Sequence, residues 1–162
     1  MMANLIRTDS GHIDFADLVK LLDTELAERD GNEHRFYSQF NRIDHIQWVV
    51  LAYVEEAVVG CGAIKAFDLR AVEVKRMYVK PEFRKWGIAR TILTELENWA
   101  MELGYVRCVL ETGKRQPEAI QFYEKTGYHL IDNYGQYIGL ENSLCFEKQL
   151  REKMGGLQHL GL

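Results

Sequence analysis

Arg84-Lys85-Trp86-Gly87-Ile88-Ala89 stands between a run of strand character, Ala71 to Val79, and a run of helical character that reaches Leu103. A basic, glycine-containing turn at such a junction is a place to hold a phosphate. The first N–H groups of a helix lack intrahelical partners, and the helix dipole adds partial positive charge beside them. Gly87 and Ala89 let the backbone approach an anion, while Arg84, Lys85 and Arg90 add full charges. Gly113-Lys114 does not make a second phosphate loop. Cys108 stands where a P-loop has its first glycine, and Arg115 stands where it needs Ser or Thr. His12, His34, His45, His129 and His159 show no metal-ligand spacing, and no His-Glu-x-x-His occurs, so no metal is expected.

The elements that must position this turn are legible from periodicity. Asn4 to Thr8 reads as a short strand. Phe15, Leu18, Val19, Leu21, Leu22 and Leu26 recur at helical spacing, with Asp9 or Ser10 as candidate caps and Gly31 as a stop. Glu33 to Phe40 suggests a second short helix. Ile46 to Val54 is almost continuously apolar, as a strand covered on both faces would be, and Glu55-Glu56 turns it into Val58 to Phe67. In the next strand Val72 and Val74 alternate with Glu73 and Lys75, but Arg76 falls on the apolar phase and Met77 and Val79 on the other. That slip predicts a β-bulge, a device that re-aims side chains near sites. After the basic turn, Ile88, Ile92, Leu93, Leu96, Trp99, Ala100 and Leu103 form one helical stripe, which Gly104 ends. Tyr105 to Leu110 is a strand, Pro117 opens a helix running to Thr126 with Gly127 as its cap, and Tyr128 to Ile131 and Ser143 to Leu150 are final strands. Hairpin strands around one strand–helix–strand crossover make a mixed α/β domain. The division expected is one domain over residues 1–150 and a tail over 151–162.

Composition narrows the function classes. The chain has 162 residues, enough for one domain with a full core, and 47% hydrophobic and 27% charged residues are ordinary for a globular protein. A net charge of −4 speaks against nucleic acid as a partner. No apolar run approaches the roughly 20 residues that span a bilayer, and Met1 to Arg7 lacks the features of a signal peptide, so no membrane partner is expected. Cys61, Cys108 and Cys145 are odd in number and widely spaced, which fits free thiols in a reducing compartment and a cytoplasmic location.

The basic turn, written Arg-x-x-Gly-x-Ala, resembles the Gln/Arg-x-x-Gly-x-Gly/Ala pyrophosphate motif of the GNAT superfamily of N-acetyltransferases. Glu73 to Pro81 resembles the strand that precedes that motif. Ala119-Ile120-Gln121-Phe122-Tyr123-Glu124-Lys125-Thr126-Gly127-Tyr128 resembles the family's second signature, an aromatic pair followed by Glu-Lys-x-Gly-Phe/Tyr. The likeness covers Val49 to Leu150 well and the N-terminal third only in its order of elements. It implies a mostly antiparallel sheet of about six to seven strands, flanked by about four helices and splayed between the fourth and fifth strands.

The resemblance also implies acetyl-CoA as cosubstrate. Backbone amides of Lys85, Trp86, Gly87, Ile88, Ala89 and Arg90, after Arg84, would hold the pyrophosphate, and the backbone of Met77, Tyr78 and Val79 would pair with pantetheine in the splay. Gln116 stands where many relatives carry a cofactor-binding asparagine, with the same donor and acceptor on a longer stem. Tyr123 would protonate the departing thiolate. Glu73 would take the proton of the attacking amine, unless Glu111 or a water relay does so; its plain alternative is a strand charge paired with Lys75 or Arg76. The expected reaction is direct attack by a primary amine in a ternary complex, with a small-molecule acceptor favoured over a protein. The acceptor site would draw on Glu33 to Asn41 and Asn133 to Ser143, whose Tyr37, Tyr134 and Tyr137 could attract a cation as a group, while any one of them is as readily explained by packing in the core or on the surface. The protein would act as a monomer or homodimer. The rival expectation is a non-catalytic module that binds acyl-CoA and regulates a partner.

Overall fold

The computed structural model describes residues 2–30 and 45–151. Its strands are β1 (Asn4–Thr8), β2 (Trp48–Val54), β3 (Ala57–Ala66), β4 (Ala71–Val79), β5 (Arg107–Gly113), β6 (His129–Ile131) and β7 (Ser143–Gln149). Its α-helices are α1 (Ile13–Asp30), α2 (Ile88–Glu102) and α3 (Pro117–Lys125). The strands form one sheet in the order β1-β2-β3-β4-β5-β7-β6, in which β4 and β5 are the parallel pair and the other neighbours are antiparallel. The described residues hold three α-helices against the four or so expected; the helix predicted over Glu33 to Phe40 lies outside them, as does most of the predicted tail.

Two layers of helix cover the sheet because its central strands are apolar on both faces. Phe15, Leu18, Val19 and Leu22 of α1 pack with Val49, Leu51, Cys61, Ala63 and Tyr78 on one face. Ile88, Ile92, Leu93 and Leu96 of α2, with Tyr123 of α3, pack with Val50, Val72, Val74, Leu110 and Phe146 on the other. Each large aliphatic side chain buried this way contributes about 1.5–3 kcal/mol.

The predicted bulge is present. Cys61 pairs with Tyr78 but Ala63 pairs with Lys75, so three steps along β4 oppose two along β3. The extra residue falls at Arg76, whose φ of 58° is left-handed. Before it, Val72 and Val74 face α2; after it, Met77 and Val79 do, and Tyr78 faces α1. A bulge bends its strand and interrupts the ladder. Consistent with that, β4 pairs with β5 only over Ala71, Val72 and Glu73, and the two strands then part.

Both crossover helices end in Schellman motifs, in which the last amides fold back on the final turn. Beyond α2, Gly104 (φ 96°) and Tyr105 donate to the carbonyls of Met101 and Ala100 at 3.0 Å each. This turn delays β5 to Arg107, two residues later than its apolar run suggests. Beyond α3, Gly127 (φ 99°) donates to Glu124 and Tyr128 to Tyr123, at 3.3 and 3.0 Å. The start of α1 differs from expectation. His12 caps it, its Nδ1 accepting from the Asp14 amide at 3.1 Å. Asp9 instead closes the preceding turn through Gly11, and Ser10 Oγ accepts from Ile46 N.

The bulge leaves Met77 pressed on Gly62. A Cβ at Gly62 would lie 2.5 Å from Met77 Sδ and 2.9 Å from Ile92 Cγ2 and Leu96 Cδ1. Gly62→Ala should therefore destabilise by about 1–3 kcal/mol through overpacking. Thermal denaturation checks this, with an expected fall in Tm of roughly 2–4 °C per kcal/mol.

Candidate active site

After β4 the chain takes one 3₁₀ turn, Pro81–Phe83, which the Arg84 amide closes on Pro81 O at 3.2 Å. Lys85 and Gly87 then adopt φ of 71° and 82°, and α2 begins at Ile88. Among the described residues, no amide from Lys85 to Arg90 has a hydrogen-bond partner; the first to bond back is Thr91, to Gly87 O at 3.1 Å. Successive free amides in a turn with left-handed residues form an anion-binding concavity, here continuous with a helix N-terminus. A Cβ at Gly87 would meet nothing within 4 Å, so the glycine answers its φ and leaves open space above the turn.

Arg84 plays a different part from the charge expected of it. Its Nε donates to Val79 O at 2.7 Å, its Nη2 to Glu25 Oε1 at 2.8 Å, and its guanidinium lies 5.4 Å from the Tyr78 ring centre. It ties the end of β4 to α1. Lys80 donates to Val59 O, so its neighbour Val79 presents its own N–H on the side of β4 away from β3, where the strands part.

Where β4 leaves β5 a cleft opens. Glu73, Val74, Lys75, Arg76 and Met77 form one bank and Glu111, Thr112 and Gly113 the other. Gln116, Ala119 and Tyr123 line it from the α3 side, and Leu22, Leu26, Tyr137 and Asn142 from the α1 side. Of the residues expected at the site, Glu73, Met77, Gln116 and Tyr123 thus share one cleft. Tyr78 and Val79 face the two cores flanking it, and residues 84–90 follow at the end of β4.

Glu73 is 7% exposed, so its carboxylate needs partners. The Tyr134 hydroxyl donates to its Oε2 at 2.5 Å, and Lys75 Nζ lies 3.3 Å from Oε1. Tyr134 is held by its own turn: Asn133 Nδ2 donates to the carbonyls of Tyr137 and Leu140, and the Tyr134 ring meets those of Phe67 and Tyr137 edge-on. The expectation that Tyr134 offers its face to a cation missed this hydroxyl contact. No local sequence pattern connects residues 73 and 134. Burial, and then the Glu73 charge and hydrogen bond, raise the Tyr134 phenol well above its ordinary range, so it remains a donor. Burial followed by the charges of Glu111 and Glu73 does the same to Tyr137.

Tyr123 is 7% exposed and its phenol is raised by burial. Its ring packs edge-on against Phe122 and Tyr128, and its hydroxyl has no hydrogen-bond partner among the described residues. Behind it, Tyr128 donates to Glu97 at 2.8 Å and Lys148 bonds both Glu97 and Thr126 O. The arrangement offers a neutral phenol and a held carboxylate at one cleft, reached by a strand that ends in a turn of unpartnered amides.

Residues 15–128 match the model of the acetyltransferase (GNAT) family. The chain belongs to the GNAT family. Among its GNAT relatives, the IAA acetyltransferase of Azospirillum brasilense is 41% identical over 95 residues, 57% of this chain and 61% of the relative. The uncharacterized N-acetyltransferase YjgM of Escherichia coli is 34% identical over 106 residues, 64% and 62%. These matches span under two thirds of either relative's length. A GNAT acetyltransferase of Elizabethkingia anophelis solved with acetyl-CoA bound superposes with a TM-score of 0.66 at 17% identity, over 91% of this chain and 98% of that one. The seven-stranded, mostly antiparallel sheet is that of this fold. Among the described residues no helix is long and apolar enough to cross a membrane.

Burial gives the fold a sign of pH dependence. It lifts Cys61 and Cys108 to about 12, Cys145 to about 11 and Tyr53 to about 12, with Tyr123, Tyr128, Tyr134 and Tyr137 also raised. In the unfolded chain thiols lose protons near about 8.5 and phenols near about 10. Above those values the folded state binds more protons than the unfolded one, so stability should fall as pH rises. Urea titrations under reducing conditions from neutral to strongly alkaline pH should show a falling midpoint, and Tyr134→Phe should shallow the decline.

Proposed function

We propose that this chain is an acetyl-CoA-dependent N-acetyltransferase that passes the acetyl group directly to a primary amine of a small molecule. The observation that carries the reading is the run of unpartnered amides at Lys85 to Arg90, joined by β4 to a cleft with Glu73 and Tyr123 on its walls. Acetyl-CoA supplies the activated acetyl group. The amides of residues 85–90 hold its pyrophosphate, the backbone of Met77, Tyr78 and Val79 pairs with pantetheine, and Gln116 contacts the cofactor from the first turn of α3. The acetyl-CoA bound by the Elizabethkingia relative supports this choice of cosubstrate.

The incoming amine is an ammonium at neutral pH and must lose a proton. Glu73 accepts it; the contacts that hold its carboxylate, from Tyr134 and Lys75, support this role. The amine nitrogen then forms its bond to the acetyl carbon, the carbon–sulfur bond breaks, the Tyr123 hydroxyl donates its proton to sulfur, and the second proton released by the nitrogen returns that phenol to its neutral form. Burial keeps that phenol neutral through the working pH range. The Val79 N–H is aimed at the side where the acetyl carbonyl would be polarised.

Incubation of acetyl-CoA with a panel of amines, read by mass spectrometry, tests the reading. An acetylated product supports it; tight coenzyme binding with no transfer to any amine would favour a regulatory module. Acetyl-CoA should raise Tm by binding the native state, and Gly87→Glu should abolish the shift by placing a carboxylate at the anion site. Tyr123→Phe should lower kcat by roughly 10²-fold with little change in coenzyme binding. A near-normal kcat would make Tyr123 a packing residue. Glu73→Gln should lose most activity at low pH, where the amine is protonated, and partly recover at high pH; an unchanged pH profile would point to Glu111 or water instead.

A further inference from the structure

The cleft holds a cation that this chemistry does not use. Arg76 sits at the bulge with a φ of 58°, a conformation that strains a residue with a Cβ. Its side chain is 6% exposed, so its charge is also largely desolvated. Among the described residues, Nη1 donates to Asp23 Oδ1 at 2.8 Å, but Nε is buried with no hydrogen-bond partner, and Nη2 makes no hydrogen bond or ion pair. An arginine held at strain and under-satisfied in a cleft wall is poorly explained by packing alone. The unused edge, Nε with Nη2, is the part of a guanidinium that grips a carboxylate with two parallel hydrogen bonds; because Nε is closed to solvent, a carboxylate would engage it by displacing the side chains that cover it.

Arg76 lies on the same side of the sheet as Glu73. Glu73 reaches Tyr134, Arg76 reaches Asp23 of α1, and both line the cleft. Three steps along the strand separate them, roughly 10 Å at the usual rise and less across a bulge, a span that long side chains shorten further. Lys75 and Arg76 adjoin on this bank, so a second ammonium on the acceptor would meet positive charge, whereas a carboxylate would complete the Arg76 fork.

We infer that the acceptor is an amino acid-like amine, whose amine sits at Glu73 and whose carboxylate is bound by Arg76. This rests on the acetyltransferase reading and names its substrate class.

Matched amines test it: lysine against cadaverine, and 4-aminobutyrate against butylamine, each with acetyl-CoA. The carboxylate-bearing member of each pair should show kcat/KM at least about tenfold higher, the scale of one charge-assisted hydrogen bond. Arg76→Gln should collapse the ratio within each pair toward one. Arg76→Lys, which keeps the charge but not the fork, should leave it intermediate. Should the Arg76 variants misfold, Asp23→Asn gives an independent reading: freeing Nη1 should lower KM for the carboxylate-bearing amines several-fold. Calorimetric titration of 4-aminobutyrate into the coenzyme A-saturated protein adds a readout apart from turnover, with binding weakened about tenfold or more by Arg76→Gln. No transfer to any amine would overturn the catalytic reading. Turnover without preference for carboxylates, or a preference that survives Arg76→Gln, would overturn this inference alone.

Discussion

One surplus residue in β4 organises the molecule. A ladder accommodates an unpaired residue only by bending, and the bend at Arg76 occurs just beyond the last point at which β4 holds β5. The same residue exchanges the faces of the strand. Ahead of it the acidic and basic side chains of Glu73 and Lys75 project towards α1; beyond it Met77 and Val79 pack under α2, and Tyr78 turns to α1. Opening the sheet and sorting its side chains are consequences of one irregularity.

The walls of that opening are braced from behind. The Schellman turn after α3 returns Tyr128 to the carbonyl of Tyr123, and the Tyr128 hydroxyl reaches Glu97 on α2, which Lys148 of β7 also holds. Buried polar groups joined this way fix geometry because each would be costly if left alone. On the other side, Arg84 fastens the end of β4 to Glu25 of α1. The cleft is therefore formed by elements that are also clamped away from its centre.

The elements were legible in the sequence because their signals are local. The phase slip at Arg76, the stripe from Ile88 to Leu103 and the glycines at 104 and 127 each announce a feature within a few residues, and the structure has each where it was expected except Leu103, which follows the last helical residue and is exposed. What was not legible depends on distance. Nothing in the neighbourhood of Tyr134 says that its hydroxyl meets Glu73, because the contact needs β7 to lie beside β5 and the turn pinned by Asn133 to hang over β4. The basic turn was read for its charges, yet its first arginine is committed to Val79 and Glu25, a commitment decided by where α1 lies. The cap of α1 shifted to His12 because Asp9 and Ser10 were taken by the turn and by the Ile46 amide.

The open turn at Lys85 to Arg90 offers main-chain groups, whereas the cleft offers the side chains of Glu73, Lys75, Arg76, Glu111 and Tyr137. Peptide N–H groups are the same whatever side chain other than proline's is attached, so a contact made by them survives most substitutions that keep the turn's left-handed residues in place. Side-chain contacts change with every codon. A molecule divided in this way can keep hold of an unvarying partner on one side while its other side is rewritten, and selection or an engineer could alter what enters from the α1 side without rebuilding the anchor.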